Sequence, residues 1–560
     1  MPEGPRHDLD VEIVVLPCIG ARHGGMSIAG PSGCSSRLPW STSTVLLAVA
    51  AISALWVLTT AMFWAGYAGA DDLFYARYAY LFHRPPINWW EFRLPAILAI
   101  RASFLTFGPS EFAAALPSLL SSLLILVSIA WQVDWLKRGS WETTLALVVA
   151  CTLPLDVRAR SVPLAGFISA GLVVLGSVCM LRRKPRVPFV GSILLAGGFI
   201  THEVSFFYVA ILCLSALVAD WQRFWRPVIA CIATAGALVV IEGAAYFVVL
   251  GDFFSRWKVA AGTTQNLTIG VDPDTGIEGI RFFLWPVEGL FFSSAFGVDL
   301  ILLAIAGTVA WRRLEPEQRI LLCSSLGLYV WLGYGTQVPW AYKPFYRQFQ
   351  YYFPVVLGVA CVLPFALRHA CQRRAWLAWG MAGFAILVHV AFLVAGGRWG
   401  QDVDVSKQLL QYAKDHPSQR FLTDVVTMNH MYVLAGFQVP HNVVCLDGPA
   451  VERHLLLNKE PRGVPRWAFS GGDIDGILVN LEGVHNRVPE EEFLSFLTAH
   501  QREHLRVAPL RYRFIFLPVL AFLEPREFMV RSLGGEVVYV GDETNKIPTQ
   551  EAGSKSYRGF

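Results

Sequence analysis

Residues 69–80 read Gly-Ala-Asp-Asp-Leu-Phe-Tyr-Ala-Arg-Tyr-Ala-Tyr, and the rest of the chain is organised around them. They place two adjacent carboxylates, Asp71 and Asp72, directly after an apolar segment that runs from about residue 42 to 68. Because that segment is long enough to cross a bilayer, the acid pair falls at a membrane surface, where an unpaired charge is costly. The pair suits two roles: Asp71 as an N-cap with Asp72 in the first helical turn, or a functional site.

Composition indicates a polytopic membrane protein. Of the 560 residues, 54% are hydrophobic and 16% are charged, whereas a soluble protein has about a quarter charged residues. The apolar residues form runs of about twenty, and a bilayer then requires helices. The net charge of +4 is spread over many loops and does not suggest nucleic acid as a partner. The ten cysteines show no CxxC or Cys/His spacing, which predicts neither a zinc site nor a disulfide framework.

We predict a mainly α-helical bundle of about eleven transmembrane spans. Their predicted ranges are 42–68, 115–136, 142–157, 162–181, 187–201, 204–219, 227–250, 297–311, 319–337, 349–367 and 375–396. Five Arg/Lys clusters fall on alternate loops, so the positive-inside rule places those loops and the N-terminus in the cytoplasm. The opposite loops, including 69–114 and 251–296, are then predicted to lie outside, in an integral plasma (inner) membrane protein.

Three domains are predicted. Residues 1–41 form a cytoplasmic tail, residues 42–397 form the transmembrane domain with a first outer loop at 69–114, and residues 398–560 form a soluble extracytoplasmic α/β domain. In the last of these, strand-like segments at 420–424, 443–447, 476–480 and 514–517 alternate with helical segments at 407–414 and 489–504. The chain contains neither GxGxxG nor GxxxxGK[ST], so it has no recognisable nucleotide-phosphate loop.

An active site on the outer side has no cytoplasmic nucleotide to use, so its donor must arrive on a lipid. Such a site needs a base, cations for a lipid phosphate and aromatic rings for sugar faces. Asp71 and Asp72 are the candidate bases. Lys343, Arg347 and Arg158 are the candidate phosphate-binding cations. For Lys343 and Arg347 the alternative is an aromatic belt with snorkelling cations, and for Arg158 it is pairing with Asp156.

Five further residues are candidates for substrate binding. They are Tyr75, Arg77, His202, Tyr346 and Tyr351. Arg77 lies about one and a half helical turns beyond the acid pair and either partners it or snorkels to the interface. His202 either contacts substrate or caps a helix end, which is the commoner role for such a histidine.

The chain resembles the C-fold (GT-C) glycosyltransferases, in particular protein O-mannosyltransferases and the bacterial transferases that place aminoarabinose on lipid A. The resemblance is carried by the acid pair that opens the first outer loop, by Phe107 to Ser118, by Arg158 to Pro163 and by Tyr346 to Pro354. It covers roughly residues 42 to 400. The family implies a polyprenyl-phosphate sugar donor, inversion at the anomeric carbon and a first-loop Asp as the base. Ser161 departs from the family pattern, which often has an Asp near that position.

The sequence therefore predicts a membrane glycosyltransferase that moves a sugar from a polyprenyl-phosphate donor to a hydroxyl or amine of a glycan, lipid or protein acceptor, in cell-envelope glycan synthesis. Asp71 is the leading base and Asp72 is predicted to position the acceptor. The alternative is a transporter or lipid-carrier flippase without transferase activity, for which Glu242 is the clearest intramembrane charge. A third possibility is a non-catalytic scaffold that presents the C-terminal domain. The sequence assigns no cofactor or metal ligand, although Asp71 and Asp72 could share a divalent cation.

Overall fold

The computed structural model describes most of the helical part of the chain and part of the C-terminal region. The described ranges are 42–69, 71–82, 86, 89–138, 140–184, 186–259, 271–272, 277–337, 342, 344–345, 349–372, 374–396, 401–423, 425–438, 440–446, 463–464, 476–480, 506–512 and 533–539. The predicted tail at 1–41, strand at 514–517 and helix at 489–504 lie outside the described residues.

Helices occur in every segment that the hydropathy pattern marks as a span. In chain order, the α-helices are α1 Thr42–Met62, α2 Asp71–Tyr80, α3 Leu94–Phe107, α4 Glu111–Gln132, α5 Trp135–Arg138, α6 Trp141–Thr152, α7 Pro154–Ala159, α8 Ala165–Leu181, α9 Val187–Thr201, α10 Ser205–Ala219, α11 Trp221–Leu250, α12 Ile280–Phe291, α13 Asp299–Ala310, α14 Pro316–Tyr334, α15 Val356–Cys361, α16 Leu363–Ala370, α17 Ala375–Gly396, α18 Gln401–Asp415 and α19 Val425–Leu434. A short 3-10 turn, Trp89–Phe92, precedes α3.

Within the described ranges, four helices are long and apolar enough to cross a membrane: Ser43–Met62, Glu111–Gln132, Trp221–Leu250 and Ala375–Val394. A fifth arises if the pair Tyr351–Cys361 and Leu363–Ala370, bent by 41°, is a single span. Five apolar helices are shorter, between 10 and 17 residues, and include α6, α8, α9 and α10. The chain is thus a bundle of apolar helices of unequal length.

Local signals set several helix boundaries. Ser140 and Thr143 form a capping box at the start of α6, where the Ser140 hydroxyl accepts from the Thr143 amide. The Asp220 carboxylate accepts from the Arg223 amide at the start of α11. At its other end α11 stops at Gly251, whose φ of 73° is the left-handed conformation that glycine adopts without strain.

The basic loops meet at one end of the bundle. Arg182 pairs with Asp134 at 3.4 Å, and Arg183 and Arg223 both pair with Glu317, at 3.4 and 2.9 Å. Arg368 pairs with Glu142 at 2.7 Å. These pairs connect five loops, and we call the end of the bundle that they form the basic end. The loops contain residues 134–142, 181–186, 220–226, 311–319 and 368–372. The positive-inside rule predicts that this end faces the cytoplasm.

The C-terminal region contains a mixed sheet. The described strands are β3 Phe421–Thr423, β4 Val443–Leu446, β5 Gly463–Val464, β6 Gly476–Asn480, β7 Arg506–Tyr512 and β8 Leu533–Tyr539, in the order β5-β4-β3-β6-β8-β7. Strands β5, β4, β3 and β6 are parallel, whereas β8 and β7 run antiparallel to their neighbours. Far from this sheet in sequence, β1 Val271–Asp272 and β2 Ile277–Glu278 form a two-stranded antiparallel pair.

Two larger apolar cores and one small cluster, formed by Val298, Ala385, Val388 and Phe392, organise the described residues. The larger fills the helix bundle, from Ile52 on α1 to Ala382 on α17. The second lies at the opposite end from the basic loops and joins α2, α3 and the start of α4 to Val403, Tyr432, Val433 and Phe437 of the C-terminal region. Because the second core draws on both regions, the helix that carries the acid pair is packed partly by C-terminal side chains.

Candidate active site

The acid pair begins a helix that is fixed by the turn before it. Helix α2 starts at Asp71, and Gly66 in the preceding turn has a φ of 76°. That φ favours glycine, and a Cβ here would also displace the Glu111 carboxylate, whose Oε2 would lie 2.6 Å away. Asp72 is fully buried, and its Oδ2 accepts from the Ala68 amide at 2.7 Å. Asp72 therefore holds the turn in place, while Asp71 is partly exposed.

Arg93 links α2 to the α9–α10 turn. Its Nη1 donates to the hydroxyl of Tyr75, which lies one helical turn after Asp71. Its Nε and Nη2 both lie 3.3 Å from Glu203 Oε2. Arg93 and Tyr75 are 4% and 1% exposed, so the interaction is shielded from water and correspondingly strong.

Arg256 continues this network toward α11. Its Nη2 lies 2.5 Å from Glu203 Oε1, and its Nη1 lies 2.7 Å from Glu242 Oε1. Nη1 also donates to the Ile200 carbonyl at 2.9 Å. Nearby, the Tyr246 hydroxyl donates to the Phe92 carbonyl at 2.9 Å. The arrangement is a buried chain of alternating charges, Arg93–Glu203–Arg256–Glu242, which we call the charge chain.

Electrostatics couple Asp71 to this chain. Burial raises the pKa of Tyr75, and the Asp71 charge adds to that increase while Arg93 opposes it. Burial alone would lower the pKa of Arg93, but Tyr75, Glu203 and Asp71 outweigh burial and raise it. Burial alone would raise the pKa of Glu203, but Arg93 and Arg256 outweigh burial and hold it below its usual range. Asp71 thus lies within electrostatic reach of a permanently charged guanidinium.

His202 lies beside the charge chain as a neutral imidazole. It is 5% exposed, and its ring centroid is 6.0 Å from that of Tyr351. Burial lowers the pKa of His202 to about 3, and the Arg93 charge acts in the same direction. At neutral pH the ring can donate through one nitrogen and accept through the other, next to a tyrosine ring.

These pKa shifts predict acid sensitivity. The pKa of His202 is about 3 in the folded protein, compared with 6.5 for an ordinary histidine in an unfolded chain. As the pH falls, His202 is therefore protonated in the unfolded chain before it is protonated in the folded protein. We therefore expect the free energy of unfolding to fall as the pH decreases from about 6.5 toward about 3. Below pH 4.5 protonation of Glu203 adds to the loss, because the folded state holds its pKa lower. Thermal unfolding of detergent-purified protein across this range measures the effect. His202→Gln is expected to flatten the upper part of the curve, and an unchanged pH slope in that variant would contradict the assignment.

Arg158 and Arg160 have backbone and carboxylate partners. Arg158 Nη2 donates to the Phe392 carbonyl at 2.6 Å, and its Nη1 donates to the Ser294 carbonyl at 3.5 Å. Arg160 Nη2 lies 2.5 Å from Asp156 Oδ2. The pairing that the sequence suggested for Arg158 with Asp156 is thus made by Arg160. Phosphate binding by Arg158 stays a prediction.

The other predicted residues divide into two groups. Lys343, Tyr346 and Arg347 lie outside the described residues. Arg77 is fully buried on α2, with its guanidinium 4.9 Å from the Phe74 ring centroid and its Nη1 3.4 Å from Asn429 Oδ1. The structure therefore brings together Asp71, Tyr75, His202 and Tyr351 around Arg93, and it directs Arg77 toward the C-terminal region.

The C-terminal region contacts α2 and its flanks through three kinds of interaction. Lys407 Nζ lies 2.8 Å from Glu111 Oε1, beside the Gly66 turn. Asn429 accepts from Arg77, as described above. The Phe437 ring stacks on Tyr80 at 4.4 Å and meets Phe104 edge-on at 5.7 Å. Phe437 has a φ of 66°, a strained conformation for a bulky residue, which its packing must offset.

The strain at Phe437 predicts that glycine at this position is at least as stable as alanine, whereas glycine is usually the less stable of the two. Phe437→Ala should destabilise the protein by about 3–5 kcal/mol, because the buried ring is lost. Phe437→Gly should be no less stable than Phe437→Ala, because glycine relieves roughly 1–2 kcal/mol of left-handed strain. Thermal or denaturant unfolding of the two variants beside the parent protein gives the order. An ordinary penalty of about 1 kcal/mol for glycine relative to alanine would show that the backbone here is not strained.

Two residues of the charge chain, Arg93 and Arg256, are not among the sequence predictions. Both lie on loops predicted to face outside, where arginine runs against the positive-inside bias. The sequence therefore contained a signal for both residues. Among the described residues, no group of three or more His, Cys, Asp or Glu side chains is placed to hold a metal ion.

The fold has counterparts among solved structures. ArnT from Cupriavidus metallidurans bound to undecaprenyl phosphate matches with a TM-score of 0.53 and 14% sequence identity, over 90% of this chain and 99% of that chain. The chain has the GT-C fold. The apo state of the same ArnT matches with a TM-score of 0.50 and 14% identity, over 89% and 98% of the two chains. No protein-family model matches the sequence. No curated protein matches it either.

The GT-C fold confirms the resemblance that the acid-pair loop suggested. At this level of identity the comparison establishes the fold, and the similarity extends over nearly the whole of both chains. A shared fold does not assign roles to residues, so the roles proposed below rest on the geometry of this chain.

Proposed function

We propose that the protein is a glycosyltransferase that takes its sugar from a polyprenyl-phosphate donor at the outer face of the plasma membrane. The observation that supports this most strongly is the position of Asp71: a partly exposed carboxylate at the start of a buried helix, within electrostatic reach of Arg93, in a chain with the GT-C fold. The solved ArnT is bound to undecaprenyl phosphate, which is a lipid carrier of the proposed kind.

In the proposed reaction Asp71 takes the proton from an acceptor hydroxyl or amine. The acceptor oxygen or nitrogen forms a bond to the anomeric carbon as the bond from that carbon to the phosphate oxygen breaks. The polyprenyl phosphate leaves with the electron pair, and the configuration inverts. Asp72 holds the turn that positions Asp71. We assign the leaving phosphate to Arg158, Lys343 and Arg347, with Arg93 as an additional described cation near the base.

Further parts of the proposal concern the substrate pocket and topology. Tyr75, His202, Tyr346 and Tyr351 would line the sugar or acceptor site, and Arg77 would act through α2. Residues 398–560 would form an extracytoplasmic domain, the N-terminus would be cytoplasmic, and the acceptor would be a glycan, lipid or protein of the cell envelope. The transporter alternative rested on Glu242, and the ion pair with Arg256 now gives that charge a local partner.

The proposal is tested with purified full-length protein and a panel of polyprenyl-phosphate sugars, scored by release of the lipid phosphate. Release with one donor and transfer of its sugar to added acceptor would support it. Parallel reactions with and without EDTA establish whether a divalent cation takes part. If folded protein in native-like lipid releases lipid phosphate from no donor, the proposal fails.

A further inference from the structure

A groove lies at the basic end of the bundle, away from the candidate active site. It has a volume of about 670 Å³ and runs between the end of α13, the turn Trp311–Arg313 and the end of α16. Arg313 Nη1 donates to the His369 carbonyl at 3.0 Å and so joins two of its walls. This volume is within the range of pockets that hold small organic ligands.

One side of the groove is continuous with the membrane-facing surface. Thr308 and Val309 line it, and Val309 is 66% exposed. Ile305, one helical turn earlier on α13, is 58% exposed. An exposed aliphatic stripe on an apolar helix of a membrane protein faces acyl chains. Trp311 ends this stripe, in the position where indole rings lie at the membrane–water boundary.

The other side of the groove is cationic. Arg312, Arg313 and His369 line it, and both arginine side chains are exposed. No described carboxylate lies within 4 Å of either guanidinium, whereas Arg368 on the same helix as His369 is paired with Glu142 at 2.7 Å. Two guanidinium groups that line one groove offer forked N–H donors, which match the oxygens of a phosphodiester.

We propose that this groove binds the phosphodiester headgroup of an anionic membrane phospholipid. The acyl chains lie along Ile305 and Val309, Trp311 packs at the glycerol level, and Arg312 and Arg313 bind the phosphate. A basic pocket between membrane helices is the type of site that recognises anionic lipid headgroups. The proposal does not depend on the transferase activity, because the groove is at the opposite end of the bundle from Asp71.

The test uses full-length protein in phosphatidylcholine nanodiscs, titrated with phosphatidylglycerol and followed by native mass spectrometry of the retained lipid. The parent protein should retain phosphatidylglycerol in preference to phosphatidylcholine. Arg312→Gln with Arg313→Gln should weaken that retention by at least about tenfold, since even one hydrogen bond between a guanidinium and a charged phosphate contributes roughly that factor. Thr308→Trp, which fills the groove and keeps both charges, should also abolish the preference.

The matched control is Arg186→Gln with Arg226→Gln. These two arginines are also exposed at the basic end, but they do not line the groove. The control should retain phosphatidylglycerol as the parent does. An equal loss in both double variants would reduce the effect to general surface charge and overturn the proposal. Full retention by Thr308→Trp would do the same, as would displacement of the lipid by millimolar inorganic phosphate, which would make the groove a free-anion site.

Discussion

Asp71→Asn is expected to lower the rate of sugar transfer by about 10²–10⁴-fold, the usual contribution of a general base. The amide keeps the size of the side chain and can still lie at the start of α2, but it cannot take the acceptor proton. Because Asp71 is partly exposed and asparagine has the same size, thermal stability and the apparent KM for the donor should change little. Initial rates of lipid-phosphate release, at donor concentrations on both sides of KM, separate the two parameters.

Asp72→Asn is the matched control for Asp71→Asn. It makes the same chemical change one residue away, but at a fully buried carboxylate that accepts from the Ala68 amide at 2.7 Å. The amide oxygen can still accept that bond, and the loss of the charged acceptor costs about 1 kcal/mol of stability. A smaller loss of rate in Asp72→Asn than in Asp71→Asn is therefore expected. Full activity in Asp71→Asn, or a reversed order of the two variants, would remove Asp71 as the base.

Arg256→Met should destabilise the protein by about 3–5 kcal/mol. The guanidinium lies 2.5 Å from Glu203 and 2.7 Å from Glu242. Its removal leaves the buried Glu242 carboxylate without its cation and leaves Glu203 with Arg93 alone. Methionine fills much of the same space, which limits the contribution of a cavity. Denaturant unfolding in detergent measures the change, and replacing Glu242 by Gln in the same variant should recover part of the loss because one orphaned charge is removed.

Arg281→Met provides the comparison for this prediction. Arg281 pairs with Glu288 at 3.8 Å, and the two side chains are 47% and 49% exposed. An exposed pair contributes roughly 0–1 kcal/mol, so this variant should unfold much like the parent. If Arg256→Met and Arg281→Met have similar small effects, water reaches the charge chain and it is not the buried network described here.

The sequence predicted the helices well because hydropathy is a local property. The polar turn Thr201–Glu203 divides 187–219 into two helices, as its residues indicated, and α9 and α10 are found there. The segment 142–157 is less simple. Helix α6 ends at Thr152, and Pro154 begins α7, because a residue that precedes proline is disfavoured in the helical conformation. Hydropathy alone does not predict the break between α6 and α7.

The site was predicted in part, because its partners are distant in sequence. Tyr75 and Asp71 share one helix, and their proximity follows from spacing. Arg93 and Glu203 are 110 positions apart and Arg77 and Asn429 are 352 apart, so no local pattern indicates their pairing. Arg158 lies in a turn that is predicted to face outside, and it donates hydrogen bonds to two backbone carbonyls. Partners of this kind cannot be recognised in the sequence, because every residue has a backbone carbonyl.

The second apolar core bears on the order in which the protein is made. Helix α2 emerges from the ribosome long before Val403, Tyr432 and Phe437, which complete its packing. Until those late residues are synthesised, the apolar face of the helix that starts at Asp71 lacks part of its packing partners. A chain that ends before residue 437 therefore lacks part of the packing that holds the helix with the acid pair.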